Sequence, residues 1–170
     1  MTAEPAPSPE DQPPVVLLHG LARTQLSMAG MARFLRQNGY TTWMRTYPSR
    51  RRPVLELAEI VAGWIRDDHG DQPVHVVTHS LGGILVRHMA EQLPLARVVM
   101  LAPPNSGSAL AGALQDFGPF GLLYGPAGLD VATGTVRPVP AAPTAVIAGT
   151  RATSIGNPIS WLSGGLQVFG

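Results

Sequence analysis

At 170 residues, 45% of them hydrophobic, the chain has room for one domain with a sizeable core. A formal charge of +1 excludes a strong net field of one sign, so the overall balance argues for neither nucleic acid nor an acidic surface. There is no Cys, which excludes disulfides and Cys-ligated metals, and no Lys, so every basic side chain except His is Arg, which we read as coding bias.

Residues 1–14, M-T-A-E-P-A-P-S-P-E-D-Q-P-P, hold five Pro and three acidic residues and little to bury. They are expected to form a disordered arm, with residues 15–170 as the single domain. The arm has neither a basic n-region nor an apolar h-region, so it is not a secretory signal. No apolar run reaches the length of a transmembrane segment. The localisation expected is therefore cytoplasmic, with a mature secreted form left open.

The V-V-L-L-H run at 15–19 ends at Gly20 and suits a strand buried on both faces. Ser27 is placed to cap a helix with Met28, Met31, Ala32 and Leu35 on its apolar face, stopped by Gly39. Tyr40–Thr46 is rich in Thr and aromatics, as strands are. Pro53 suits the first position of a helix in which Val54, Leu57, Ala58, Val61, Trp64 and Ile65 recur at helical spacing, and Gly70 ends it. A strand over 74–78, a helix over about 82–93 and a strand over 97–101 follow. Residues 103–141 are rich in Gly, Pro and Ala and hold at most one short helix, near Leu110–Phe117. Thr144–Ala148 is the last strand. Alternating strands and helices predict a parallel sheet of about five strands.

The stretch V-H-V-V-T-H-S-L-G-G at 74–83 carries the chemistry. A Ser hydroxyl is a poor nucleophile unless it is exposed, near a base and near donors for the developing oxyanion. A sharp strand-to-helix turn exposes it and aims a helix N-terminus at the reaction centre. Ser80 follows a strand and precedes Gly82 and Gly83, small residues that let strand and helix pass closely. The upstream small position is Thr78, so G-x-S-x-G appears as T-x-S-x-G. The plainer alternative is that Ser80 only caps the helix. His19-Gly20-Leu21 ends the first strand. In a hydrolase built this way, the backbone N–H groups of Leu21 and Leu81 would form the oxyanion hole, with Gly20 letting the backbone turn inward. His19 itself reads as a satisfied loop histidine.

With these residues in view, the sequence resembles the α/β-hydrolase superfamily, and more narrowly small bacterial lipase/esterase-like serine hydrolases. The matching stretches are V-V-L-L-H-G-L, Y-P-S at 47–49, V-H-V-V-T-H-S-L-G-G-I-L-V-R, V-V-M-L-A-P-P-N-S-G-S, G-P-A-G at 125–128 and V-I-A-G-T-R at 146–151. The resemblance implies a three-layer α/β-hydrolase fold lacking the family's first two strands and its last. It implies ester hydrolysis through an acyl-enzyme on Ser80, with no cofactor and no metal. Residues 103–141 would be the lid-like insertion. Leu110, Leu114, Phe117, Phe120, Leu122, Leu123 and Tyr124 would line an acyl pocket or fill core above the sheet edge.

The family orders its triad Ser, acid, His. After Ser80 the only His is His88, over two turns into the following helix and beyond hydrogen-bond reach. His75 lies inside a strand, His79 adjoins Ser80 on a turn from which neighbours diverge, and His69 ends a helix. No general-base His is identified. Asp116 and Asp130 are weak candidates for the acid. Related hydrolases continue from a comparable point into a last strand and a His, so the chain is expected to be truncated, with an open sheet edge inviting self-association. The expected partner is a small-molecule or lipid ester substrate, not nucleic acid. The alternative is a non-catalytic binding protein on the same fold.

Overall fold

The computed structural model describes residues 12–104, 125–128, 130 and 137–147. The elements are β1 (Val15–Leu18), a 3-10 turn (Gln25–Met28), α1 (Ala29–Gln37), β2 (Thr42–Trp43), α2 (Val54–His69), β3 (Val74–His79), α3 (Leu81–Met89), β4 (Leu95–Leu101) and β5 (Thr144–Ile147). The five strands form one sheet in the order β2-β1-β3-β4-β5, and every neighbouring pair is parallel. The expected fold class and strand number are both found.

Alternation along each strand sorts side chains onto two faces. Val16, Leu18, Val74, Val76, Val98 and Met100 pack under α2 and α3. Val15, Leu17 and Val77 pack on the opposite face with Met28 and Ala32 of the α1 side. Three layers result. β1 and β3 are buried on both faces, which is why V-V-L-L and V-H-V-V-T show no polar alternation. Each fully buried Leu or Val contributes roughly 1.5–3 kcal/mol to holding these layers.

Several boundaries differ from the sequence reading. Packing begins before Val15: Pro14 is buried and its carbonyl accepts the His75 N–H at 2.9 Å. Ser27 does not cap α1. It sits in the 3-10 turn, and its hydroxyl donates back to the Thr24 carbonyl at 2.8 Å. β2 shortens to two residues, since pairing with β1 is limited to Val15–Thr42 and Val16–Trp43. Pro53 precedes α2 rather than opening it, and having no N–H or polar side chain it leaves that end uncapped from within. The Asp130 carboxylate supplies the missing acceptor, taking the Val54 N–H at 2.8 Å. Gly39 and Gly70 do end their helices, with φ of 86° and 59°. Residues 125–128 are helical, inside the Gly/Pro-rich stretch for which the sequence predicts a helix only near Leu110–Phe117. The expected helix near Leu110–Phe117 and residues 1–11 lie outside the described residues.

The chain leaves β1 for β2 on one side, then crosses back to β3 on the other. The switch point of this sheet is therefore the crevice above the carboxyl ends of β1 and β3, where open α/β sheets place their ligands. The loop after β1 begins with His19-Gly20, and the turn after β3 is Ser80. Topology alone thus brings two stretches 60 residues apart in number to one edge.

Candidate active site

Ser80 stands between the last residue of β3 and the first of α3, with φ 50° and ψ −116°. A non-Gly residue held there costs on the order of 1–3 kcal/mol, so the surroundings must over-determine it. They do so from three sides. The Ser80 N–H donates to the Leu101 carbonyl at the end of β4 at 3.0 Å, and the Ser80 carbonyl accepts from the Gly83 N–H at 2.8 Å. Leu81 is buried in the core directly after it. The Ser80 side chain makes no capping hydrogen bond to α3, so the plainer role, a simple N-cap, is not the one it has.

The glycines are dictated by close approach. A Cβ on Gly82 would lie 2.8 Å from the Leu18 carbonyl oxygen and 2.9 Å from the Leu18 Cβ. A Cβ on Gly83 would lie 3.0 Å from the Pro103 Cβ and 3.4 Å from the Thr78 hydroxyl. Thr78 therefore fits where the motif has Gly, because Gly83 leaves space for it. A Cβ on Gly20 would lie 2.9 Å from His79 Nδ1 and 3.3 Å from the Ser80 Cβ. The loop after β1 thus rests directly on the Ser80 turn.

That loop is clamped by Tyr47-Pro48-Ser49. His19 is fully buried and its ring stacks on Tyr47, centroids 3.8 Å apart at 10°. The Tyr47 N–H donates to His19 Nε2 at 3.2 Å, which makes Nε2 the acceptor and leaves Nδ1–H to donate to the Gly20 carbonyl at 2.8 Å. The Tyr47 hydroxyl donates to the His19 carbonyl. Ala22, held at φ 56°, donates its N–H to Ser49 Oγ at 3.0 Å. Burial lowers the His19 pKa, partly offset by the Gly20 bond, and raises that of Tyr47. Both groups are accordingly neutral struts. Sequence alone assigns Y-P-S no role beyond its place among the stretches that resemble the family, because pairing across 28 positions is not visible in one chain.

Leu21 is half-buried, and no hydrogen bond to its N–H occurs among the described residues. Leu81 is the first residue of α3, where a backbone N–H has no acceptor within the helix. The non-Gly residues with positive φ are Ala22, Ser80 and Ala102 among the described residues, each just past the carboxyl end of β1, β3 or β4. Backbone strain thus concentrates along one edge, as it does at functional sites.

The remaining candidates lie elsewhere. All five His of the chain are described, and none hydrogen-bonds to Ser80. His19 is committed to Tyr47 and Gly20. His69 closes α2, edge-on to Trp43 with centroids 6.3 Å apart. His75 lies beside Val15 near the amino end of β3, its pKa lowered by burial and by Arg97. His88 is lowered by burial and Arg137 and raised by Asp130. His79 adjoins Ser80, its ring over Gly20 and its pKa lowered by burial and by Arg23. Asp130 is engaged at the start of α2, and Asp116 and the apolar residues 110–124 lie outside the described residues. A cavity of about 300 Å³ lined by Gln12, Thr42, Trp43 and His69 opens at the amino ends of β1 and β2, the edge opposite Ser80. Among the described residues no helix is long and apolar enough to cross a membrane.

The sequence model of the alpha/beta hydrolase fold family matches residues 13–127. No curated protein sequence matches the chain. Among solved structures, the mature lipase BlEst2 of Bacillus licheniformis is similar with a TM-score of 0.60 and 23% identity, over 79% of this chain and 59% of that one. The chain thus spans less than two thirds of that lipase. The NocB thioesterase domain from the nocardicin cluster, bound to a fluorophosphonate nocardicin G analogue, has a TM-score of 0.58 and 18% identity, over 81% and 73%. The monoacylglycerol lipase of Paleococcus ferrophilus has a TM-score of 0.50 and 25% identity, over 63% and 49%.

Proposed function

From the premise that the chain belongs to the α/β-hydrolase fold family, we propose that it is a carboxylic ester hydrolase of the lipase/esterase type with Ser80 as nucleophile. The observation that carries this reading is the strained Ser80 backbone at the switch point of the sheet, with a hydroxyl free of any capping duty. In the proposed reaction, Ser80 Oγ bonds to the ester carbonyl carbon as its proton passes to solvent water, since no His is bonded to it. The N–H groups of Leu21 and Leu81 receive the developing oxyanion, each such donor supplying on the order of 3 kcal/mol. Collapse expels the alcohol and leaves an acyl-serine, which water then hydrolyses.

The base is the weak member. With none of the five His bonded to Ser80, turnover by this chain should rest on the oxyanion site and binding alone, on the order of 10³–10⁴ over water. The same observation favours a second reading, a non-catalytic binding protein that keeps the fold. A fluorophosphonate probe separates the two. The hydrolase reading expects a single slow adduct by intact mass that disappears in Ser80→Ala. A folded chain that takes no adduct after prolonged exposure belongs to the second reading.

A further inference from the structure

The charge of +1 conceals a strong asymmetry. Residues 12–55 contain seven arginines (Arg23, Arg33, Arg36, Arg45, Arg50, Arg51 and Arg52) and no Asp or Glu. All eleven acidic residues lie outside that stretch. Two of the seven are neutralised locally: Arg45 pairs with Asp68 at 3.1 Å and Arg52 with Glu56 at 3.0 Å. Arg23, Arg33, Arg36, Arg50 and Arg51 are exposed and form no ion pair among the described residues.

The fold brings Arg23, Arg50 and Arg51 to the Ser80 edge, with Arg33 and Arg36 following along α1. The Ala22–Ser49 bond, the Gln25 N–H to Thr46 Oγ1 bond at 3.1 Å and the His19–Tyr47 contacts join the loop after β1 to the segment carrying Arg50 and Arg51. Arg23 is near enough to His79, next to Ser80, to depress its protonation. The segment that follows Arg23, joined to Thr46 at Gln25, carries apolar side chains that the core does not use. Leu26 is 73% exposed and Phe34 60%. They sit either side of Gly30 at four-residue intervals, and a Cβ on Gly30 would touch nothing. Large apolar groups and guanidinium groups unpaired among the described residues, on a stretch that itself carries no carboxylate and with Glu56 and Asp130 engaged by Arg52 and the Val54 N–H, match the anionic face of a lipid bilayer, which takes apolar side chains below its headgroups and cations at them. A nucleic acid would use the arginines and leave Leu26 and Phe34 in water.

We propose that the surface formed by Arg23, Leu26, Arg33, Phe34, Arg50 and Arg51 docks on an anionic phospholipid bilayer and brings the Ser80 edge to it. The proposal does not depend on hydrolysis, so the test uses the full chain carrying Ser80→Ala. The protein is sedimented with vesicles of phosphatidylcholine mixed with phosphatidylglycerol, and with vesicles of phosphatidylcholine alone, at low and at high salt. Binding is expected to the mixed vesicles at low salt only. Arg50→Gln with Arg51→Gln should weaken it about 25-fold, roughly fivefold for each arginine. Phe34→Ser should weaken it while leaving its salt dependence unchanged. Unaltered far-UV circular dichroism shows that each variant is folded, and all positions are at the surface. Equal binding to phosphatidylcholine alone, indifference to the double arginine substitution, or equally tight and Phe34-independent binding of a duplex oligonucleotide each overturns the proposal.

Discussion

Gly63, in the middle of α2, and Gly82, in the first turn of α3, are both helical glycines, but their packing is opposite. Alanine at either should gain up to about 1 kcal/mol from helix propensity and reduced unfolded-state entropy. At Gly63 nothing lies within 4 Å of the added Cβ, so the gain should be realised. At Gly82 the Cβ would meet the Leu18 carbonyl oxygen at 2.8 Å and the Leu18 Cβ at 2.9 Å. Leu18 is fully buried and paired with Thr78 in β3, so neither atom can yield cheaply. Overpacking of this kind costs about 1–3 kcal/mol, which exceeds the gain. At roughly 2–4 °C per kcal/mol for a chain of this size, Gly63→Ala should raise the melting temperature by a few degrees and Gly82→Ala should lower it. Urea unfolding monitored by circular dichroism checks the same signs without heating. If Gly82→Ala were neutral or stabilising, α3 would not approach β1 closely, and the geometry that exposes Ser80 would be wrong.

Two further outcomes follow from the clamp and the cap. His19 has a folded pKa below its ordinary 6.5, so the unfolded chain binds the extra proton and stability must fall as pH drops below about 6.5. The contribution is about 1.4 kcal/mol per pH unit until the folded pKa is reached, and it should be largely absent in His19→Gln; an equally steep acid limb in that variant would refute it. Asp130→Ala should lose about 1 kcal/mol by leaving the Val54 N–H without its acceptor, with Asp130→Asn retaining most of it. If Asp130→Ala instead left stability unchanged but slowed fluorophosphonate labelling, Asp130 would serve the Ser80 site and not the cap of α2.

The buried strands were legible because β1 and β3 lie between two layers and their apolar runs need no tertiary information to be seen. The turn at Ser80 was legible for a related reason: few sequences put a small polar residue and two glycines directly after such a run. What was hidden depends on long-range partners. Pro53 looks like a helix start, yet the start is completed by Asp130, 76 positions beyond Val54. Thr78 looks like a departure from the motif until Gly83 is seen to leave room for it. Charge was hidden by averaging, since a sum of +1 is the same for a mixed surface and for a divided one.

The strain at Ser80 and the burial of His19 bear on each other. A left-handed Ser costs free energy that packing must offset. Here the offset comes from the Leu101 bond, from Leu81 in the core and from the loop after β1 resting against the turn. That loop holds its shape because His19 is neutral, buried and bonded at both ring nitrogens. A proton on Nε2 would face the Tyr47 N–H donor and break the bond that joins the loop to the Y-P-S segment. The histidine two positions before Leu21, a proposed oxyanion donor, thus cannot also be the base that Ser80 lacks. Its burial makes it a strut, and the same burial denies it the proton.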